Sequence, residues 1–357
     1  VARAGRDQEV VVGAGVTLRD VAERAGVSLA TASKVMNERA DVRSETRDAV
    51  RRAARDLGYA HRRRAGAAGT SLLIVFDTLS SPYSLQILQG AVAAARRMGV
   101  DLAVSSLEDQ PVGEQGLLSR RWFREASERG HRAVIAVTVP LTQREVRIAR
   151  ACSMPLLVVD PAAPDSTLVG RDGPVRCSAT NWAGGRSAAQ HLLELGHRRI
   201  GMLVGPAASA PGRERADGCR SALQQAGAPL DEDLVDGGAF DFEAGREAAL
   251  RLLEREDRPT ALFAASDTLA LGALRAAHEL GIRVPEQLSI VGFDDTLASQ
   301  WTSPKLTVVH QPLEAMGQVA VERAIALAAD PGSFAHPFQL ETHLVVREST
   351  GPAPADA

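Results

Sequence analysis

From Ser71 onward, short apolar runs alternate with stretches of helical spacing. The runs are LLIVFD, DLAVSS, AVIAV, PLLVVD, RIGMLVG, TALFAAS and LSIVGFDD. Between them, helical periodicity fills Ser84–Met98, the region near Ser119–Arg129, Asn181–Leu195, the region around Arg213–Ala226, and Thr268–Leu280. A continuous apolar run suits a strand covered on both faces, and the intervening helices supply the cover. This predicts an α/β class with doubly wound parallel sheets. The units are too many for one sheet, and 357 residues exceed one ordinary core.

In such sheets ligands gather at the carboxyl ends of the strands. The residues just past those ends are Asp77, Asp160, Ser266, Asp267, Asp294 and Asp295. Carboxylates suit sugar hydroxyls, which need acceptors. Tyr83, Trp182 and Phe240 lie near strand or helix starts and offer faces to a sugar ring. The plainer reading is that a strand-end Asp caps the next helix. That reading weighs equally for Asp267 and somewhat less for Asp294. No tight His/Cys grouping accompanies the carboxylates, so no metal site is expected, and nothing indicates a cofactor. VVGAGVTL at Val11–Leu18 imitates a dinucleotide loop, but Leu18 stands where the third glycine belongs. No G-x-S-x-G, P-loop or Cys/His nucleophile context appears, which argues against an enzyme.

Before Ser71 the pattern differs. Thr17 is a good N-cap for a first helix carrying Leu18, Val21, Ala22 and Ala25. Gly26 breaks it, Ser28 caps a second helix with an Ala32, Val35 and Met36 stripe, and A-G-V-S makes the turn. Ser44 opens a third helix with Val50, Ala53, Ala54 and Leu57 facing inward, and Gly58 ends it. This is a helix-turn-helix pattern, whose second helix enters the major groove. Its outward residues Leu29, Ala30, Ser33 and Lys34 are candidates for base contact. Thr17, Ser28, Thr31, Asn37, Thr46 and Arg47 are better placed for phosphates.

Charge supports this division. Through Gly69 the chain carries 14 Lys+Arg against 9 Asp+Glu, and the rest carries 27 against 35. A basic head on an acidic body suits a polyanionic partner for the head. Apolar content of 45% and charged content of 24% are those of a soluble globular protein. Cys152, Cys177 and Cys219 form no CxxC pair and are expected as reduced, buried thiols. No apolar run reaches a membrane span, and the first residues carry no secretion pattern, so a cytoplasmic location is expected.

The pattern V-T-L-x-D-V-A-x-x-A-G-V-S-x-x-T-x-S-x-V-x-N, then T-R-x-x-V and L-G-Y, resembles the DNA-binding head of the lactose-repressor (LacI/GalR) family without a gap to Tyr59. By that resemblance Leu29, Ala30 and Lys34 read bases. The segments SPYSLQILQGAVAAARRMGV, ATNWAGGRSAAQHLLELGHRRIGMLVGP and TALFAASDTLALGALRAAHELGIRVPEQLSIVGFDD are similar to the family's effector-binding core. The resemblance implies two lobes of periplasmic-binding-protein type joined by three crossings, with a small molecule between them. Lobe one is expected at about 71–179 and 311–339, lobe two at about 180–310 and 340–350, and a tail at 351–357. The matching effector positions are Tyr83, Arg215 as a bidentate donor, Phe240 as a stacking face, Asp267, and Asp294 as an acceptor for paired hydroxyls. Where many members have N-D, this chain has Ser266-Asp267, which puts the ligand's identity in question more than the site's location. FDTLSSPYS and ATNWAGG look like an actinobacterial subgroup regulating sugar use, xylose and xylan types included. The tail GPAPADA shows no leucine heptads, so a homodimer on near-palindromic double-stranded operator DNA is expected.

The leading reading is therefore a ligand-responsive repressor of sugar-utilisation genes. Alternatives are a regulator answering to a non-sugar small molecule, a transport-type sugar-binding protein, which matches the body alone, and an enzyme. Between head and body lies GYAHRRRAGAAGT, where the family typically carries a hinge helix with a leucine that wedges into the minor groove. Here no leucine occurs from Ala60 to Ser71, and Ala68 stands at the wedge position. Two readings stay open for Arg62, Arg63 and Arg64. They take over electrostatically, along phosphates or in a narrow minor groove, or they form a flexible basic tether.

Overall fold

The computed structural model describes residues 18–36, 44–57, 70–108, 118–161, 173–330 and 336–354. The chain divides into two compact units, Val1–Ala68 and Gly69–Ala357.

Among its described residues the first unit contains three helices, α1 (Leu18–Arg24), α2 (Leu29–Met36) and α3 (Ser44–Asp56). Val21, Ala22, Ala32, Val35, Val50, Ala53 and Ala54 form one small core, with Ala25, Val27 and Leu57 packed on it. The turn between α1 and α2 uses Gly26 at φ +67°, a left-handed conformation that suits glycine. Ser28 Oγ accepts from Thr31 N at 3.1 Å, which satisfies a free donor at the start of α2.

The second unit contains two six-stranded sheets. The first is built from β1 (Ser71–Phe76), β2 (Asp101–Ser106), β3 (His131–Val137), β4 (Leu156–Val159), β5 (Val175–Ala179) and β11 (Phe338–Leu340), in the order β11-β5-β4-β3-β1-β2. All its pairings are parallel. The second is built from β6 (Ile200–Val204), β7 (Val235–Gly237), β8 (Ala261–Ala264), β9 (Ser289–Asp294), β10 (Thr307–His310) and β12 (His343–Val345), in the order β12-β10-β9-β8-β6-β7. Here only the β10–β12 pair is antiparallel. The two sheets have the same strand order, so the unit is two copies of one doubly wound plan. The central strands β4, β8 and β9 are buried along their whole length, and β1 from Leu72 onward, as their unbroken apolar runs require.

The chain crosses between the lobes three times: after β5, after β10 and after β11. Helix α12 (Leu313–Ala329) returns to the first lobe, where Leu313, Met316, Ala320 and Val321 join the core under β1, β3 and β4. Gly351 and Ala353, past the expected boundary at 350, bond to the second lobe. Gly351 O lies 3.2 Å from His197 Nε2, and Ala353 N donates to Leu195 O at 2.8 Å.

Three helix pairs cover the sheets at very close range: α4 (Pro82–Met98) with α12, α7 (Asn181–Glu194) with α8 (Ala210–Gln225), and α9 (Phe242–Leu253) with α10 (Asp267–Glu279). In each pair a glycine faces the partner's backbone. A Cβ at Gly90 would stand 1.9 Å from Glu314 O, one at Gly185 1.9 Å from Arg215 O, and one at Gly245 2.6 Å from Leu269 O. The sequence reading had named neither α9 nor α12, nor strands β5 and β10. The burial of β5 alternates along VRCSA, which interrupts the apolar run that marks the other strands. Among the described residues no helix is long and apolar enough to cross a membrane.

Candidate functional site

The carboxyl ends of both sheets open onto one cleft in the second unit. Asp77 follows β1, Thr138 follows β3 and Asp160 follows β4. The start of α4 adds Ser81 to Ser84. From the other lobe come Pro206 to Ser209 after β6, Phe240 after β7, Ser266 to Thr268 after β8, and Asp294 at the end of β9. Arg215 reaches in from α8, and Thr296 from the turn before α11 (Leu297–Trp301). The empty space is about 890 Å³ with its open mouth included.

Arg215 organises the floor. Its Nε donates to Asn181 Oδ1 at 2.8 Å, Nη1 to Ala265 O at 2.7 Å and Nη2 to Gln311 Oε1 at 2.6 Å. Nη1 also stands 3.3 Å from Asp294 Oδ1, an ion pair without hydrogen-bond alignment. The guanidinium lies over Phe293, 3.9 Å from the ring centroid. Gln311 carries the network across the lobes, since its Nε2 donates to Asp160 Oδ2 at 2.8 Å. The Tyr83 hydroxyl donates to the same oxygen at 2.6 Å, and Ser178 Oγ donates to Asp160 Oδ1. Thus each lobe contributes one carboxylate, and one arginine–glutamine pair joins them.

Asp267 is held differently. Its Oδ2 accepts from Thr296 N at 2.6 Å and Thr296 Oγ1 at 2.9 Å. Its Oδ1 and Asp294 Oδ1 are buried and accept no hydrogen bond from the described residues. Burial, then the nearby Asp294 charge, pushes Asp267 well above the usual carboxylate range. Burial also carries Asp294 up to about 7, although Arg215 opposes it. Tyr83 is raised too, by burial first and then by Asp160. Thr138, Asp160 and Asp294 have positive φ, at 55°, 43° and 108°. Non-glycine residues adopt that region rarely, and such strain concentrates at binding sites.

Phe240 lies flat against glycine. A Cβ on Gly205 would fall 2.2 Å from its Cζ, and one on Gly212 3.2 Å from it. Thr268 Oγ1 donates to Phe240 O at 3.1 Å and fixes the loop that carries the ring.

Of the eight effector positions expected from sequence, Tyr83, Asp160, Arg215, Phe240, Ser266, Asp267 and Asp294 line this cleft. Trp182 does not. It is 44% exposed on α7, with Arg186 stacked 5.8 Å from its ring. Asn181, one residue earlier, faces the floor, and a single helical step turns Trp182 away. Asp295 is not among the residues that line the cleft. Against the burial that would raise it, bonds from Arg347 and His310 hold it below the usual carboxylate range. Ser266, not Asp267, caps α10, accepting from Leu269 N at 3.3 Å. The sequence reading missed Thr138, Ser209, Thr268 and Thr296, and the supporting Asn181 and Gln311. Thr138 and Thr296 could have been found one residue past β3 and two past β9, at positions that the search for carboxylates passes over.

On the first unit, Ser28, Leu29 and Lys34 are exposed on α2 or its cap. Ala30, Thr31 and Ser33 lie on the same helix, and Thr46 and Arg47 are half-buried near the start of α3. Thr17, Asn37, Tyr59, Arg62, Arg63 and Arg64 lie outside the described residues.

Comparison with known proteins matches both units. Residues 17–61 match the family described as bacterial regulatory proteins, lacI family, and residues 189–350 match the periplasmic binding protein-like domain. The HTH-type transcriptional regulator DegA of Bacillus subtilis is 30% identical over 94% of this chain and 98% of its own. The HTH-type transcriptional regulator CelR of Thermobifida fusca is 34% identical over 93% of this chain and 98% of its own. Among solved structures, a CelR–cellobiose complex has a TM-score of 0.69 at 32% identity, covering 94% of this chain and 99% of that one. A lac repressor dimer bound to operator and an anti-inducer has a TM-score of 0.76 at 28% identity, covering 95% and 100%. These relatives are transcriptional regulators, and their likeness spans the head and both lobes. The chain belongs to the LacI family of bacterial transcriptional regulators.

Proposed function

We propose that this regulator represses sugar-utilisation genes and that a small sugar, bound between the lobes, changes its affinity for operator DNA. The supporting observation is the cleft lining, where buried carboxylate acceptors stand beside the flat face of Phe240. Hydroxyls need the first and the apolar face of a sugar ring the second. Asp294, Asp267 and Asp160 accept hydroxyls, and Tyr83, Arg215 and Ser266 complete the site. The relative solved with cellobiose points to the same ligand class. In the head, Leu29, Ala30, Ser33 and Lys34 contact base edges. Ser28, Thr31, Thr46 and Arg47, with Thr17, Asn37 and Tyr59, contact the backbone. The regulator acts in the cytoplasm as a homodimer on a two-fold symmetric site, as in the operator-bound lac repressor dimer.

The sugar can shift the chain on or off DNA only through a difference in affinity between the two lobe arrangements. The test is DNA retardation on the gene's own upstream region with a panel of pentoses, hexoses and short oligosaccharides. One sugar should change the apparent Kd for DNA at least about tenfold, the low end of usual coupling energies. Retardation that no sugar alters would refute the ligand, and no retardation at low salt would refute the base-reading assignment.

A further inference from the structure

Resting on the reading of the cleft as a sugar site, we infer that its occupant carries no negative charge: neutral or amino sugars enter through their hydrogen-bond donors, and phosphorylated or carboxylated sugars are excluded. Four carboxylates line the cleft, Asp77, Asp160, Asp267 and Asp294, and Arg215 is the one cationic side chain among the described lining residues.

Arg215 is not free to receive an anion. Of a guanidinium's five N–H donors, three already reach Asn181, the Ala265 carbonyl and Gln311. Its charge faces Asp294 at 3.3 Å, and the Phe293 ring covers one side. What the cleft offers is acceptors: Oδ1 of Asp267 and Oδ1 of Asp294 are buried and receive no hydrogen bond from the described residues. A hydroxyl or an ammonium group satisfies such an oxygen. A phosphate or carboxylate cannot donate to it, and adds like charge where little water screens it. Burial already raises the pKa of Asp77, Asp267 and Asp294, so the site resists even its own negative charge.

The test is calorimetric titration of the full chain, with thermal melting alongside. The probes are glucose, galactose and mannose, each with its 2-amino and uronic-acid forms, and cellobiose with its 6-phosphate. At least one neutral or amino sugar should bind, and every anionic form should bind at least about 100-fold more weakly than its neutral parent, as repulsion by one buried charge implies. For a uronate whose parent binds, lowering the pH from about 8 to about 5.5 should narrow that gap as the cleft carboxylates take up protons. Asp294→Asn should narrow it at pH 8. If that variant melts too low to be folded, the pH series on the unaltered chain decides. An anionic form that binds as tightly as its neutral parent overturns the charge rule and leaves the sugar reading standing. Failure of every sugar, whatever its charge, overturns both.

Discussion

Asp294 shows how one residue sets stability and binding against each other. Its ordinary pKa is 3.8, and burial carries it to about 7 in the folded chain. Between those values the folded chain keeps a proton that the unfolded chain has lost. Through Asp294, stability without ligand therefore falls as pH rises from about 4 to about 7. The loss is on the order of 2–4 kcal/mol. In Asp294→Asn, urea unfolding from pH 5 to pH 8 should show a shallower fall, with some slope left because Asp267 is raised as well. The same variant should bind sugar at least about tenfold more weakly, having lost an acceptor for hydroxyls. A slope equal to that of the unaltered chain would contradict the assignment. Asp294 was legible in sequence because it ends a strand; its state was not, because burial and Arg215 arrive from other parts of the chain.

Among the elements, the glycine contacts between paired helices carry the site. Gly185 on α7 meets the backbone carbonyl of Arg215 on α8, so the fit between these helices sets where the guanidinium lies. Gly185→Ala would put a methyl group 1.9 Å from that oxygen and force the helices apart. The expected cost is roughly 1–3 kcal/mol by urea unfolding, with weaker sugar binding in the same variant. Unchanged binding would show that Arg215 does not depend on this contact. A second element effect concerns α11, whose N-cap Thr296 makes no side-chain cap bond of its own. Thr296 is held instead by Asp267, which follows the neighbouring strand β8 of the same sheet. In Asp267→Ala, amides of 296–301 should exchange hydrogen at least about fivefold faster, as for the loss of a cap worth about 1 kcal/mol. Those of β9 should keep their protection. The sequence reading of Asp267 as cap or ligand left out this third role, because a contact over 29 residues of chain leaves no local pattern.

For the molecule as a whole, DNA binding is the output, and the segment between head and body carries its open question. If Arg62, Arg63 and Arg64 lie along phosphates, changing all three to alanine should flatten the dependence of log K on log salt by roughly 2–3 per head. An unaltered slope would leave them as a tether. The architecture itself was legible: continuous apolar runs and period-3.6 patterns are local, so most strands and helices and the helix-turn-helix head can be read from residues near one another in the chain. The Ser28 cap and the Gly26 turn are of this kind.

By itself, then, the sequence determined the α/β class, the head, and the strand ends where a ligand site would open. Seven of the eight candidate effector positions face one cleft: Asp160, Phe240, Ser266, Asp267 and Asp294 because strand ends converge in any doubly wound sheet, and Tyr83 and Arg215 from α4 and α8. Only the tertiary structure decided what those residues face. Asp160, Asn181, Arg215, Asp294 and Gln311 come together through two of the three crossings between the lobes, and Trp182 is lost from the site by one helical step. Hydrogen-bond partners, burial and the protonation that follows from them are properties of that convergence, and no stretch of sequence contains them.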